Sequence, residues 1–180
     1  MTLWIALLRG INVGGNHKLS MKDLTALLHD LGASQVKTYI QSGNVVLHHP
    51  SPDRQTLAQA ITTAIAEAHG FAPHVLLLTH AELTRAMDAN PFPGGVLDPK
   101  SLHLFFMDAP PPNPDLAGLE GVRIGSEQFA LLGATFYLLA PEGIGRSRLA
   151  AKVERALGMA ATARNWNTCQ KMRDLVDHLA

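Results

Sequence analysis

The sequence predicts an α+β protein in which a ferredoxin-like βαββαβ portion comes first and a second α+β portion packs against it. Three observations support this prediction. Residues 3–8 and 75–78 are short apolar runs, which are typical of buried strands. Two amphipathic helical patterns lie between these runs, and a strand–turn–strand pattern over residues 35–49 separates the two helices. The resulting order, β-α-β-β-α-β, is that of the split βαβ arrangement.

The helices of the first portion have recognisable starts and ends. Ser20 and Asp23 form a variant of the capping box at the start of the first helix. Either Ser51 or Asp53 can cap the second helix. A glycine follows each helical pattern and is expected to end the helix.

The second portion alternates strand patterns with turns. Thr79 is expected to cap a short helix that runs through Met87. The proline-rich residues 109–114 exclude regular structure and predict a stiff extended connection. The predicted strands, which form either a sheet of their own or an extension of the first sheet, are residues 102–107, 121–124, 128–132 and 135–139.

Length and composition indicate a folded intracellular protein. The 180 residues suit one compact domain over 1–180, with possible subdomains at 1–90 and at 91–180, the latter holding β-hairpins and two C-terminal helices. Cys169 is the only cysteine, which excludes an internal disulfide and suits a reducing cytoplasm. Because no apolar run reaches about 18 residues and no signal-peptide pattern begins the chain, we expect a cytoplasmic protein with no membrane partner.

The charges are balanced overall but unevenly distributed. Fifteen basic and fifteen acidic residues give a net charge of zero. Residues 1–22 hold three Lys or Arg and no acid, and residues 146–180 hold seven Lys or Arg against three acids. The two basic ends either converge on one surface or are scattered solvated charges.

A glycine-rich loop, residues 9–18, follows the first predicted strand. The spacing of Gly10 and Gly15 invites comparison with a phosphate-binding loop, but Asn16 stands where that motif requires Lys. A nest of backbone N–H groups supported by Arg9 and Lys18 can still bind an anion. The alternative is that the glycines only make a tight crossover.

Two further segments place polar residues before a helix. Residues 162–168 are expected to open the last helix, where Asn165 or Asn167 can cap and Trp166 begins a buried apolar face. The unpaired N–H groups at such a start favour an anion, although the segment can equally be only a cap. Residues 143–147 enter the preceding helix, in which Arg148, Lys152 and Arg155 lie close to a shared face that contacts either phosphates or solvent.

Four blocks of the sequence resemble a known family. They are ALLRGINVGG at 6–15, YIQSGNVV at 39–46, GRS at 145–147 and TARNWNT at 162–168. Through these blocks, nearly the whole chain is similar to the bacterial family named domain of unknown function 1697. The resemblance implies an α+β fold with a ferredoxin-like portion, in agreement with the element order, and it implies no activity, cofactor or catalytic residue.

Three classes of function fit the sequence. The first is a binding module for a phosphate-containing small molecule, a nucleotide or a nucleic acid. The second is an enzyme that uses the same loops as an anion site, for which no known catalytic motif names a residue or a cofactor. The third is an oligomeric interaction protein. No histidine spacing predicts a metal site. The predicted ligand-binding residues are Arg9, Asn12, Gly14, Gly15, Lys18, Ser42, Asn44, Arg146, Ser147, Arg164, Asn165 and Asn167.

The sharpest form of the binding hypothesis is a shared pocket. Arg9 with the loop at 12–18, and Arg164 with Asn165 and Asn167, are predicted to converge on one anion, because Arg can hold a phosphate or carboxylate through two hydrogen bonds. In the competing account, both arginines satisfy carbonyl groups or buried acids and leave no open site.

Overall fold

The computed structural model describes residues 1–179, whose contacts divide into two units. Unit 1 comprises residues 1–84 and the chain from residue 170 onward, and unit 2 comprises residues 85–169. The elements of unit 1 are β1 (Thr2–Leu8), α1 (Met21–Asp30), β2 (Ser34–Tyr39), β3 (Asn44–His49), α2 (Arg54–His69), β4 (Val75–Leu78) and the start of α3 (His80–Asp88).

The apolar run at the N-terminus forms a central strand of the first sheet. The strand order is β2-β3-β1-β4, and every neighbouring pair is antiparallel. Ile5 of β1 lies opposite Val46 on one side and Leu78 on the other. The predicted ferredoxin-like βαββαβ arrangement is therefore confirmed.

Local capping explains where the helices of unit 1 begin. The Ser20 hydroxyl accepts a hydrogen bond from the Asp23 N–H at 3.0 Å. Asp53, and not Ser51, caps α2 by accepting from the Gln55 N–H at 3.1 Å. Each such bond satisfies a donor that the helix itself cannot pair, which contributes about 1 kcal/mol.

The core of unit 1 lies between one face of the sheet and the helices α1 and α2. Alternate strand residues point to this face, since the side-chain period of a strand is two. Burying each Leu or Ile contributes about 1.5–3 kcal/mol. The buried members from β1 and the two helices include Trp4, Ala6, Leu8, Leu24, Leu28, Leu57, Ile61 and Ile65.

Unit 2 repeats the topology of unit 1, which the sequence did not predict. The four strands of unit 2 form a sheet of their own, which has the order β6-β7-β5-β8, with every neighbouring pair antiparallel. The elements are β5 (Leu102–Phe106), α4 (Leu116–Glu120), β6 (Gln128–Leu132), β7 (Thr135–Leu139), α5 (Val153–Leu157), β8 (Thr162–Asn165) and the start of α6 (Trp166–Asp177).

The two units correspond in hydrogen bonding as well as in order. The Leu8 N–H donates to Gly43 O at 2.8 Å, and the Met107 N–H donates to Ala134 O at 3.0 Å in the equivalent turn. Thr79, which follows β4, and Asn165, which ends β8, each cap the helix that comes next. A β-α-β-β-α-β-α unit thus occurs twice in the chain.

The structure differs from the sequence predictions at three places in the second portion. Residues 121–124 do not form a strand, because Asp115 caps the short helix α4 and turns follow it. Residues 162–165 form strand β8, which was not predicted, since they pair with β5. The last helix begins inside the predicted segment, at Trp166, and Asn165 caps it as expected. Residues 143–147 lead into short 3₁₀ turns at Ile144–Arg146 and Ala150–Lys152 before α5 begins.

The predicted single domain over 1–180, with subdomains that meet at residue 90, stays a prediction. No helix within residues 1–179 is long and apolar enough to cross a membrane.

Candidate functional site

The glycine-rich loop of unit 1 folds back on itself as a small hairpin. The Asn16 N–H donates to Val13 O at 3.0 Å, and the Asn12 N–H donates to His17 O at 3.1 Å. The two central residues of the turn, Gly14 and Gly15, have φ values of 58° and 80°, which a type I′ turn requires. No described residue accepts a hydrogen bond from either glycine N–H, so these donors are left for solvent or a ligand.

Asn12 locks this hairpin to the neighbouring loop. Its Nδ2 donates to Leu19 O at 2.8 Å and to Gln41 O at 2.7 Å, and its Oδ1 accepts from the Leu19 N–H at 2.9 Å. Both donor hydrogens of the amide are used in this way. Asn12 therefore holds the site together and is not available to donate to a ligand.

The β2–β3 turn is shaped by buried contacts. Asn44 is fully buried, and its Nδ2 donates to Tyr39 O at 3.1 Å and to Ser42 Oγ at 2.9 Å. Gly43 has a φ of 75°, and a Cβ at this position would lie 2.6 Å from Leu8 Cβ. The predicted ligand residues Ser42 and Asn44 thus position the turn.

A third loop joins the same end of the sheet. The His17 ring stacks on Phe71 with a centroid distance of 4.7 Å, and its Nδ1 lies 3.0 Å from Gly10 O. The Arg9 N–H donates to His74 O at 2.9 Å. Residues 9–20, 40–43 and 70–74, which we call the loop end of unit 1, therefore lie together where β1 ends.

The loop end of unit 1 is basic. Arg9 and Lys18 are exposed, and they flank the Gly10–His17 contact in sequence. Lys18 makes no ion pair with any residue that the structure describes. The three loops contain no Asp or Glu. This arrangement can attract an anion and hold it with side-chain and backbone donors.

The predicted site residues of unit 2 are mostly structural. Ser147 is buried and its hydroxyl accepts from the Ala150 N–H at 2.9 Å, whereas Arg146 is exposed. Asn165 caps α6 by accepting from the Thr168 N–H at 2.9 Å. Asn167 is half-buried in the first turn of that helix.

Arg164 is a partly buried cation. Its Nη1 donates to Ala163 O at 2.8 Å, which is the carbonyl contact expected in the competing account. Burial lowers the pKa of Arg164 to about 10, and burial raises the pKa of the nearby Cys169 thiol to about 12. Trp166 is buried as predicted, and no described residue accepts from its Nε1. The predicted convergence of Arg164 with Arg9 on one pocket stays a prediction.

Sequence reasoning missed a cleft in unit 2. It has a volume of about 290 Å³ and is lined by Asp115, Gly118, Leu119, Lys152, Arg155 and Ala156. These residues come from α4 with its cap Asp115 and from α5 with the preceding Lys152, two segments that are far apart in sequence. The shared face of Lys152 and Arg155 was the available signal, but nothing local showed what lies opposite them. In the described part of the chain, no three His, Cys, Asp or Glu side chains group as metal ligands.

The comparisons with known proteins agree with the observed fold. The family described as "Protein of unknown function (DUF1697)" matches residues 1–137. The chain is similar to a solved structure of conserved bacterial protein SP0830 from Streptococcus pneumoniae, with 24% sequence identity and a TM-score of 0.74. This match covers 97% of this chain and 98% of that chain, and at this identity it shows the fold alone. No curated protein matches the chain.

Proposed function

This chain belongs to the DUF1697 family, and we propose that it binds a phosphate-bearing ligand at the loop end of unit 1. One observation supports the proposal above all: three loops locked together by side-chain contacts present basic residues and unpaired N–H groups, with no acid among them. Such a surface favours anion binding, because donors that are already held in place lose little conformational freedom when the anion binds.

The residues of this site have two roles. Lys18 supplies a point charge that is used in no ion pair with a described residue, and Arg9 adds a second positive charge beside it. The N–H groups of Gly14 and Gly15 can donate to the same anion. Asn12 acts indirectly, since its amide is used to hold the hairpin against Gln41.

The exposed His17 ring favours a nucleotide or a single-stranded nucleic acid among the phosphate-bearing ligands. It is supported from behind by Phe71, with an interplanar angle of 15°. A fixed aromatic plane next to basic side chains is what a base needs for stacking, which contributes about 1–3 kcal/mol per base. The proposal places this binding in the cytoplasm, where such ligands are abundant.

Titration of three probes tests the proposal. Inorganic phosphate, AMP and a short single-stranded oligonucleotide are added to the wild type, Arg9→Gln and Lys18→Gln. Loss of a charged donor is expected to weaken binding about tenfold, because hydrogen bonds to charged groups contribute about 1.5–3 kcal/mol. Lys37→Gln, an exposed lysine of β2, is the matched control and should bind as the wild type does.

The three probes also separate the ligand classes. For an oligonucleotide, affinity should fall steeply with salt and the slope should be smaller in Lys18→Gln. Saturable binding of AMP alone would assign a nucleotide site. Equal and negligible binding by all proteins, or equal binding by Lys18→Gln and the wild type, would refute the proposal.

A second candidate function is self-association through the same loops. Val13 and Ile40 are 65% and 53% exposed, and they lie beside the Asn12–Gln41 contact. Ile40 also has a φ of 48°, which is rare for a β-branched residue. Sedimentation of the wild type and of Val13→Ser/Ile40→Ser tests this candidate: a concentration-dependent dimer that the double variant lacks would support it, and a monomer at all concentrations would exclude it.

A further inference from the structure

The cleft between α4 and α5 has two unpaired cations at its rim. Lys152 and Arg155 are exposed, and neither makes an ion pair or side-chain hydrogen bond with any residue in 1–179. Residues three apart on a helical segment lie on the same face, so both side chains can reach one molecule in the cleft. Because both cations line one cleft, a small molecule bound there can contact both of them, which is not the case for isolated surface charges.

The walls of this cleft are fixed by backbone contacts. The Asp115 N–H donates to Ala156 O at 2.7 Å, which ties the start of α4 to α5. The Asp115 carboxylate accepts from the Gly118 N–H at 2.8 Å, so it is held as a helix cap. Gly118 leaves no room for a Cβ, which would lie 2.2 Å from Asp115 Oδ2. The cleft is therefore a formed feature of unit 2.

The size and charge of the cleft limit its ligand. A volume of about 290 Å³ lies just below the usual range of ligand pockets, which is about 300–1,000 Å³. Lys152 and Arg155 supply two positive charges and Asp115 supplies one negative charge, so the lining carries a net charge of +1. Ala156 and the buried Leu119 add a smaller apolar part to the lining. These features fit a small molecule with a single oxyanion group.

We propose that Lys152 and Arg155 form a second anion site in unit 2, which binds a small carboxylate or phosphate. This site goes beyond the phosphate-bearing ligand proposed for the loop end of unit 1, and it uses none of the same residues. Arg155 offers the planar pair of donors that matches a carboxylate or phosphate, and Lys152 adds a second positive charge.

NMR titration of the full chain tests the site. Inorganic phosphate and acetate are added in separate experiments, and the backbone amides of Gly118 and Asp115 report on the cleft. Saturable shifts are expected for at least one probe, and the stronger probe identifies the oxyanion class. In Lys152→Gln/Arg155→Gln the affinity should fall about tenfold or more, since two charge-assisted contacts are lost.

Two control variants make the outcome specific. Arg148→Gln removes an exposed basic residue of the same segment that does not line the cleft, and it should titrate as the wild type does. Lys18→Gln should also leave the cleft shifts unchanged, so failure at one site is distinguishable from failure at the other. The proposal is overturned if neither probe saturates, if the double variant titrates unchanged, or if Arg148→Gln weakens binding equally.

Discussion

A single side chain, Asn12, decides the geometry of the glycine-rich loop. Its φ of 54° lies in the left-handed region, which Asn tolerates better than most residues. Its amide makes three hydrogen bonds to the backbone of Leu19 and Gln41. The sequence predicts Asn12 as a ligand contact, which stays a prediction, and the structure shows that its side chain also positions the neighbouring backbone.

Removing this amide should loosen the loop. Asn12→Ala is expected to lower the free energy of unfolding by about 1–3 kcal/mol, because three hydrogen bonds to the backbone of the buried Leu19 and of Gln41 are lost. Amide exchange of Leu19 should accelerate. The control is Asn16→Ala, at an exposed residue whose side chain bonds to no described residue, and it should change stability by less than about 0.5 kcal/mol. Equal effects of the two variants would show that the three hydrogen bonds contribute little.

A buried tyrosine makes stability depend on alkaline pH. The Tyr137 hydroxyl donates to Ala86 O at 2.6 Å, and burial raises the pKa of Tyr137 to about 12. The folded state thus holds this proton more tightly than the unfolded state, whose pKa is about 10. The resulting stabilisation is complete below pH 10 and is lost as the pH rises through about 12.

Comparison with Tyr137→Phe tests this linkage. At pH 7 the variant should be about 1 kcal/mol less stable than the wild type, since one buried hydrogen bond is missing. Above pH 10 the difference should shrink, because only the wild type must keep a phenol protonated. Urea denaturation at several pH values measures both. A difference that stays constant from pH 7 to pH 12 would contradict the assignment.

At the scale of elements, the first half of the fold could be predicted because its signals are local. Ser20, Asp53 and Thr79 each cap a helix through a bond to a residue two or three positions away. In the second half the helices α4 and α5 have only five residues each. Strand β8 has four residues and is defined by its pairing with β5. Such elements depend on distant partners, so no local pattern could identify them.

The same limit applies to the candidate sites. The loop at 9–18 could be proposed from its glycines and basic residues, since they are contiguous. Its attachment to Gln41 and Phe71 could not, because these contacts join separate loops. The cleft of unit 2 was also hidden, since it depends on the backbone bond between Asp115 and Ala156.

Two glycines, Gly43 in the turn between β2 and β3 and Gly70 after α2, allow the energetic cost of backbone strain to be separated from that of steric crowding. Gly43 and Gly70 have φ values of 75° and 77°, but a Cβ at Gly43 would lie 2.6 Å from Leu8 Cβ, whereas nothing lies within 4 Å at Gly70. Gly70→Ala should therefore cost about 1–2 kcal/mol from strain alone. Gly43→Ala should cost clearly more, because the turn must also move away from β1. Thermal denaturation of both variants decides this, and equal losses would show that the turn yields freely.

At the scale of the molecule, the order of the elements in the chain differs from their assignment to the two units. Each β-α-β-β-α-β order is followed by one more helix, α3 or α6. By its contacts, the chain from residue 170 onward belongs to unit 1, although it follows unit 2 in sequence. Within unit 1, His80 Nε2 at the start of α3 lies 3.1 Å from Asp177 Oδ1 at the end of α6. Unit 1 is therefore completed by residues that follow unit 2 in the chain.

This assignment predicts where a core mutation in α6 acts. Met172 in α6 and Leu157 in α5 are each 1% exposed, but the first belongs to unit 1 and the second to unit 2. Truncation of either side chain to Ala should destabilise by about 2–5 kcal/mol. Because local opening follows the contacts of the altered residue, Met172→Ala should accelerate amide exchange in β1 and β4 more than in β5 and β7. Leu157→Ala should show the reverse. If both variants accelerate exchange equally in the two sheets, the protein opens only as a whole and the two units do not act as separate cooperative elements.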